Sequence, residues 1–150
     1  MGLISDYMKE DHFVLDALFG SYRAAKRTDA ALAHELFSHF AAGLEKHMAC
    51  EEEVLFPLFE KKTGSSSLSG EASVLKIAHK RIVTLMKDIT QALAHKRDTT
   101  ALEEQLLATL KEHEKTEISI VYPWLDDVID TETAQALMTD MKKFSITKKK

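Results

Sequence analysis

Two histidine–glutamate pairs place a ring nitrogen and a carboxylate on the same side of a helix. His47 precedes Glu51 by four residues, and His113 precedes Glu117 by four residues. Residues four apart on a helix differ by about 40° in direction and about 6 Å in rise. Each pair can therefore approach one bound ion from a single helix. Imidazole and carboxylate together suit iron and other transition metals.

Two further histidines have the same apolar surroundings. His12 and His79 each follow an apolar residue by four positions and precede others by three, seven and ten. This spacing puts both rings on a buried stripe. Buried polar groups without partners cost about 1–3 kcal/mol each, and unpaired buried carboxylates cost more. Cations would remove that cost for the whole set, which is His12, His47, Glu51, His79, His113 and Glu117.

The number of donors favours two metal ions. Six side chains exceed the four ligands of a tetrahedral zinc ion, and they supply two imidazoles for each of two ions. Glu51 and Glu117 would span both ions, leaving positions for a solvent-derived bridge and an exogenous ligand. One histidine on an apolar stripe, or one H-x-x-x-E pair, would be explained by ordinary core or helix contacts. The complete set favours a two-metal site.

Four long amphipathic helices and one short one must position these residues. They are predicted over about 5–26, 29–62, 70–96, 99–127 and 131–144. Ser5 or Asp6 is the predicted N-cap of the first helix, and Thr100 with Glu103 has the spacing of a capping box. Short connections predict two helical hairpins, joined by a Gly/Ser crossover at 63–70. The predicted fold is all-α: an antiparallel up-down four-helix bundle with a short C-terminal helix.

An internal repeat relates the two hairpins. The first helix lies over the third with a shift of 67 residues, which superimposes His12 on His79. The second lies over the fourth with a shift of 66, so that each half reads H-x-x-x-E-x5-P. The repeat predicts an approximate two-fold axis through one shared site.

Other polar and aromatic residues are predicted to lie outside the site. The repeat gives no histidine partner to His34, His39 and His95, and Glu52, Glu53 and Glu114 are expected to face solvent. Cys50 has no second cysteine to pair with. Phe56 and Tyr122 are predicted to point away from the histidine nine positions before them. Pro57 and Pro123 are predicted to kink or end their helices.

Composition narrows the functional classes. The formal net charge is −4 with dispersed acidic residues, so no basic face is offered to nucleic acid. The single cysteine fits a reducing compartment. The acidic N-terminus does not resemble a signal peptide, and no apolar run reaches the roughly 18 residues that span a membrane. We expect a cytoplasmic protein with a solvated, Lys-rich tail and no membrane contact.

These residues resemble the hemerythrin-like (HHE cation-binding) domain family. The resemblance lies in Asp11-His12, the string HMACEEEVLFP at 47–57, His79, and HEKTE at 113–117 followed by Tyr122-Pro123. It covers about residues 4–127 and implies that 1–150 form one such domain, with a short helix and basic tail after the core. It also implies a four-helix bundle with two non-haem iron ions in a carboxylate- and oxo/hydroxo-bridged centre. His12, His47, His79 and His113 would be terminal ligands, and Glu51 and Glu117 would be bridges.

The sequence departs from the oxygen-carrying members of that family. Those proteins have a fifth histidine four residues before the one in the third helix, where this chain has Leu75. They commonly use a bridging aspartate five residues after the last histidine, whereas Glu117 follows His113 by four. The pattern H…HxxxE…H…HxxxE is closer to bacterial hemerythrin-like proteins and to iron-sensing members.

Three functions are compatible with the sequence. The leading one is a diiron protein that binds or reacts with dioxygen, nitric oxide or peroxide, or senses iron, as a sensor or transient carrier. The second is a diiron enzyme with peroxidase or oxidase activity. The third is a helical interaction module that binds zinc or no metal. Any protein partner is unknown from the sequence.

Overall fold

The computed structural model describes residues 2–64 and 70–144, which form an all-helical bundle. The helices are α1 (Leu3–Ala25), α2 (Ala30–Cys50), α3 (Phe56–Thr63), α4 (Glu71–Ala94), α5 (Thr100–Thr116), α6 (Tyr122–Val128) and α7 (Thr131–Met141). Five-residue π-helical segments join α2 to α3 (Glu51–Leu55) and α5 to α6 (Glu117–Val121), and a 3-10 turn (Lys142–Phe144) follows α7. The result is four long helical rods and one short helix.

The rods pack as two antiparallel hairpins. Helix α1 packs along α2, and α4 along α5, while contacts of α2 with α4 and of α1 with α6 close the bundle. Helix α7 lies against α1 and the first π segment. The predicted four-helix bundle with a C-terminal helix is confirmed. Residues 65–69 of the predicted crossover and 145–150 of the basic tail lie outside the described residues.

The apolar core is divided into two clusters. The distal cluster includes Leu15, Phe19, Tyr22, Phe37, Phe40, Leu44, Ile82, Met86, Ile89, Leu106 and Leu110. The proximal cluster, next to α7, includes Ile4, Met8, Cys50, Leu55, Phe56, Phe59, Leu75, Val121, Tyr122, Leu125 and Met141. On the rods that contain α1, α4 and α5 the predicted ligand positions fall between the two sets, and on the α2 rod they lie at the boundary, where Met48 belongs to the distal cluster and Cys50 to the proximal one. The polar site therefore lies in a layer between two apolar cores.

A buried carboxylate ties α1 to the start of α5 at the distal end. Glu103 accepts hydrogen bonds from the Tyr22 hydroxyl (2.7 Å), Lys26 Nζ (2.5 Å) and Thr99 Oγ1 (2.5 Å). Burial alone raises the pKa of Glu103, but the three donors outweigh it and lower that pKa. The capping-box prediction was wrong: Thr99 is the N-cap, and Glu103 binds side chains instead of the backbone.

The start of α1 also differs from the prediction. The helix begins at Leu3 with Gly2 as N-cap, instead of Ser5 or Asp6. The carboxylate of Asp126 from α6 accepts from the N–H groups of Ile4 (2.9 Å) and Ser5 (3.1 Å), so a distant residue caps the helix. A Cβ on Gly2 would lie 2.0 Å from Asp126 Cγ, so the close approach requires glycine.

None of the described helices is both long enough and apolar enough to cross a lipid bilayer.

Candidate metal centre

The six residues predicted as ligands are brought together in the layer between the two clusters. The most exposed of them, His12, exposes only 6% of its surface, and Glu51 and Glu117 expose none. Helix α1 supplies His12 and α4 supplies His79, while the other two rods each supply a histidine and the glutamate one turn later. Four rods therefore direct six polar groups into one buried interior.

The imidazoles are arranged as two close pairs. The Nε2 atoms of His12 and His47 are 3.0 Å apart, and those of His79 and His113 are 3.2 Å apart. Two ligands at right angles on an ion with bonds of about 2.1 Å stand about 3.0 Å from each other. Each pair has the separation expected of two ligands that share one ion.

Glu51 spans the two imidazole pairs. Its Oε1 lies 3.0 Å from His79 Nε2 and 3.6 Å from His113 Nε2. Its Oε2 lies 3.6 Å from His47 Nε2. One carboxylate thus has an oxygen facing each pair, which is the geometry of a bridging ligand.

Glu117 spans the same pairs from the opposite rod. Its Oε2 is 2.9 Å from His113 Nε2, and its Oε1 is 3.7 Å from His12 Nε2. Neither oxygen makes a hydrogen bond of good geometry within the described residues. Two groups of side chains could each hold an ion, and they share Glu117: Glu51 with His79, His113 and Glu117, and His12 with His47 and Glu117. A pair of cations would supply the missing partners of Glu117.

The protonation states of His12 and His47 follow from their surroundings. Burial lowers the pKa of His12 to about 3, with a further contribution from the nearby His47. Burial also acts to lower the pKa of His47, but Glu51 and Asp11 outweigh it and raise that pKa to about 9. Without metal, His47 is therefore an imidazolium that donates to a neutral His12.

The pKa values of the two glutamates are shifted in opposite directions. Burial alone would raise the pKa of Glu51, but the His47 charge and surrounding donors lower it well below its usual range. Burial and the charge of Glu51 raise the pKa of Glu117 well above its usual range. Metal-free protein therefore keeps protons on His47 and Glu117. Cations that bind to these two groups would displace those protons.

A π segment begins at each of these glutamates. Pro57 and Pro123 have no N–H to bond with the carbonyl four residues earlier. The preceding residues instead donate five residues back, Phe56 N–H to the Glu51 carbonyl and Tyr122 N–H to the Glu117 carbonyl. Each rod continues as an α-helix beyond its π segment, so neither proline ends its rod. Such π turns recur at functional sites.

The extra residue in each π segment shifts the buried stripe by one position. An uninterrupted α-helix would put Val54, Leu58, Ile120 and Trp124 on the site-facing stripe, whereas Leu55, Phe59, Val121 and Leu125 are the buried residues. One inserted residue turns the following helix by about 100°. A prediction that assumes continuous α-helical periodicity therefore assigns the wrong buried face to the residues that follow each glutamate.

The same shift brings two aromatic rings to the site, contrary to their predicted direction. The Tyr122 hydroxyl donates to Glu51 Oε2, and its ring centroid lies 6.2 Å from that of His12. Burial, followed by the charges of Glu117 and Glu51, raises the pKa of Tyr122 well above its usual range. Phe56 stacks on His79 with centroids 5.5 Å apart. Tyr122 is the only proton donor outside the six that directly contacts Glu51 in the described part of the chain.

Two outer carboxylates contact histidines that are predicted to be ligands. Asp11 Oδ2 lies 3.3 Å from His47 Nδ1, and Glu52 Oε2 lies 2.6 Å from His79 Nδ1. Glu52 is exposed as predicted, with 43% of its side chain accessible, but its carboxylate also contacts His79, which the sequence did not predict. Glu114 is half-buried, and burial followed by the charge of Asp16 raises its pKa to about 7.

The remaining histidines and the cysteine lie apart from the six. His39 and His95 are exposed, and His34 is half-buried on the same helix as His39. Burial, followed by the charges of Glu51 and Asp11, raises the pKa of the buried Cys50 thiol to about 12. None of the four belongs to the metal-binding groups found among the described residues.

One known family matches the chain. The family model described as "Hemerythrin HHE cation binding domain" matches residues 3–125, which include all six inward-facing residues. No curated protein and no solved structure gives a significant match to the chain.

Proposed function

The chain belongs to the hemerythrin HHE cation-binding family, and on that basis we propose that it is a non-haem diiron protein that binds or reacts with dioxygen or a related small molecule. Nitric oxide and peroxide are the related ligands, and the role is that of a sensor or a transient carrier. Iron sensing is the variant of this role in which the metal itself is the signal.

We assign the ligands by their distances. His12 and His47 hold one iron ion, His79 and His113 hold the other, and Glu51 and Glu117 bridge them. The observation that supports this most strongly is that both carboxylates reach both imidazole pairs, at 2.9–3.7 Å. Six such groups buried between two apolar clusters would be unfavourable without cations.

Ferrous iron bound there would supply electrons to a small oxidant such as dioxygen. The chain's own residues control what surrounds that chemistry. The two apolar clusters cover the layer on its distal and proximal sides. Tyr122 holds a proton on its hydroxyl beside Glu51 and fixes the direction of that carboxylate.

Metal content is the first test. Protein loaded anaerobically with ferrous iron should contain about two ions per chain, and Glu51→Gln or His79→Ala should hold fewer. His39→Ala is the matched control, because this exposed histidine lies on the same rod as Glu51. Unchanged metal content and thermal stability in Glu51→Gln would show that the cluster is not a metal site. The remaining reading would then be an interaction module.

Reactivity is the second test. Air or nitric oxide added to the anaerobic ferrous protein should produce new visible absorption bands in the wild type and in His39→Ala. Loaded protein whose spectrum is unaffected by dioxygen, nitric oxide and peroxide would contradict the proposed ligand class. Iron sensing would then remain as the role of the same centre.

One observation favours the enzymatic alternative. A peroxidase needs a proton donor next to its metals, and the Tyr122 hydroxyl lies next to a proposed bridge. Repeated turnover of peroxide, reduced in Tyr122→Phe at unchanged iron content, would support this activity. A single stoichiometric reaction would support the carrier or sensor.

A further inference from the structure

Two of the four inward-facing imidazoles have a carboxylate at the ring nitrogen that points away from the centre. Asp11 contacts His47 Nδ1 at 3.3 Å, and Glu52 contacts His79 Nδ1 at 2.6 Å. The two carboxylates come from different rods and from different positions relative to the ligands. Each proposed ion nevertheless has one histidine of this kind.

The other two imidazoles have no such partner. His12 Nδ1 and His113 Nδ1 are buried and make no hydrogen bond within the described residues. The internal repeat explains why. Ala78 stands at the repeat position of Asp11, and Ile118 stands at the repeat position of Glu52. The six inner groups occur in both halves of the repeat, whereas each outer carboxylate occurs in one half only.

We propose that Asp11 and Glu52 are positioning residues that strengthen His47 and His79 as metal ligands, so that each ion has one strong and one weak imidazole. The inference rests on the ligand set proposed above. An ionised carboxylate can only accept a hydrogen bond, so Nδ1 of the contacted ring carries the proton. The lone pair of Nε2 then faces the ion, and the outer negative charge increases its basicity.

The two outer carboxylates differ in their environment. Asp11 is buried and its contact is longer, whereas Glu52 is 43% exposed and its contact is shorter. Solvent and salt screen an exposed charge more than a buried one. Raising the salt concentration should therefore weaken the contribution of Glu52 more than that of Asp11.

Ferrous-ion affinity of the full chain, measured anaerobically by competition with a coloured chelator, tests the proposal. Asp11→Asn and Glu52→Gln should each weaken binding at one of the two ions by about 10- to 100-fold. Glu53→Gln is the matched control, since Glu53 is an exposed neighbour in the same π segment with no hydrogen bond or ion pair to another described residue. It should bind as the wild type does.

Adding a carboxylate at the two repeat positions that lack one tests the proposal by a gain in metal affinity. Damage to packing could not produce such a gain. Ala78→Asp should give His113 an outer partner and tighten binding at one ion. Ile118→Glu should do the same for His12, and it changes a side chain that is already 50% exposed, so folding is retained. A variant that merely disturbed the structure would bind metal less tightly, never more tightly.

The outcomes separate the two proposals. Wild-type protein that binds no iron overturns both the diiron function and this inference. Wild-type protein that binds two ions, together with Asp11→Asn and Glu52→Gln affinities equal to that of Glu53→Gln, overturns only the positioning role. Failure of both Ala78→Asp and Ile118→Glu to tighten binding also overturns it.

Discussion

Replacing Glu117 by Gln in metal-free protein removes an acid whose two buried oxygens make no hydrogen bond of good geometry within the described residues. Burial and the neighbouring charge of Glu51 raise its pKa well above the usual 4.5. Between pH 4.5 and this raised pKa, the native state therefore keeps a proton on Glu117 that the unfolded chain releases. Gln has nearly the same shape and no charge, so Glu117→Gln should stabilise the metal-free fold at neutral pH.

The size of this gain follows from proton linkage. Below pH 4.5 the group is protonated in both states, and its contribution to stability is fully present. As the pH rises from 4.5 towards the raised native pKa, the unfolded chain binds fewer protons, and the wild type loses about 1.4 kcal/mol per pH unit. The advantage of Glu117→Gln over the wild type should therefore grow by that amount per unit across the same window.

Urea unfolding of chelator-treated protein at several pH values measures the difference, with the slope m held common to both proteins. Glu112→Gln, an exposed change on the same rod, is the control and should follow the wild type. Saturating ferrous iron should reverse the order, because ligand binding stabilises only the protein that holds it. Parallel pH profiles of wild type and Glu117→Gln would refute the reasoning.

Three further predictions concern residues outside the proposed ligand set. Tyr22→Phe removes the 2.7 Å hydrogen bond to the buried Glu103 and should lower the free energy of unfolding by about 1.5–3 kcal/mol, measured in urea, with iron content unchanged. Asp126→Ala leaves two N–H groups at the start of α1 uncapped and should cost about 0.5–2 kcal/mol, measured by thermal unfolding against Asp127→Ala. Cys50 is buried with a thiol pKa raised to about 12, so a thiol reagent at pH 8 should modify it rapidly only in urea. Rapid modification of the native protein would contradict that burial.

The bundle and the inward direction of the six polar groups could be predicted because both depend on helical periodicity. His12 and His79 are flanked by apolar residues at helical spacing, and those neighbours are buried in the structure. Each H-x-x-x-E pair runs from the last turn of an α-helix to the residue that directly follows that helix. Over such lengths, the 3.6-residue repeat locates a side chain to within one face.

The prediction failed where the helix departs from that repeat. A proline can end a helix, bend it or be accommodated by a π turn, and the local sequence does not distinguish these outcomes. Tyr122 was consequently assigned to the wrong face. The matching positions of Glu51 and Glu117 before the two prolines were the only available signal of a shared irregularity.

Contacts between residues far apart in the sequence were the second feature that could not be predicted. Glu52 reaches His79 across 27 residues of sequence, and Glu103 reaches Tyr22 across 81. Both carboxylates occupy positions whose local pattern fits another role, solvent exposure for Glu52 and a capping box for Glu103. Only the packing of the rods reveals the partner.

The polar layer between the two apolar clusters has a consequence for how the molecule unfolds. Few apolar contacts cross that layer, so without cations each end depends on its own cluster, and the distal end has the Glu103 hydrogen bonds in addition. Amide hydrogen exchange in chelated protein should then be faster around α6 and α7 than in the distal halves of α1 and α5. Bound cations would join the two ends into one cooperative unit and slow exchange at the weaker end most.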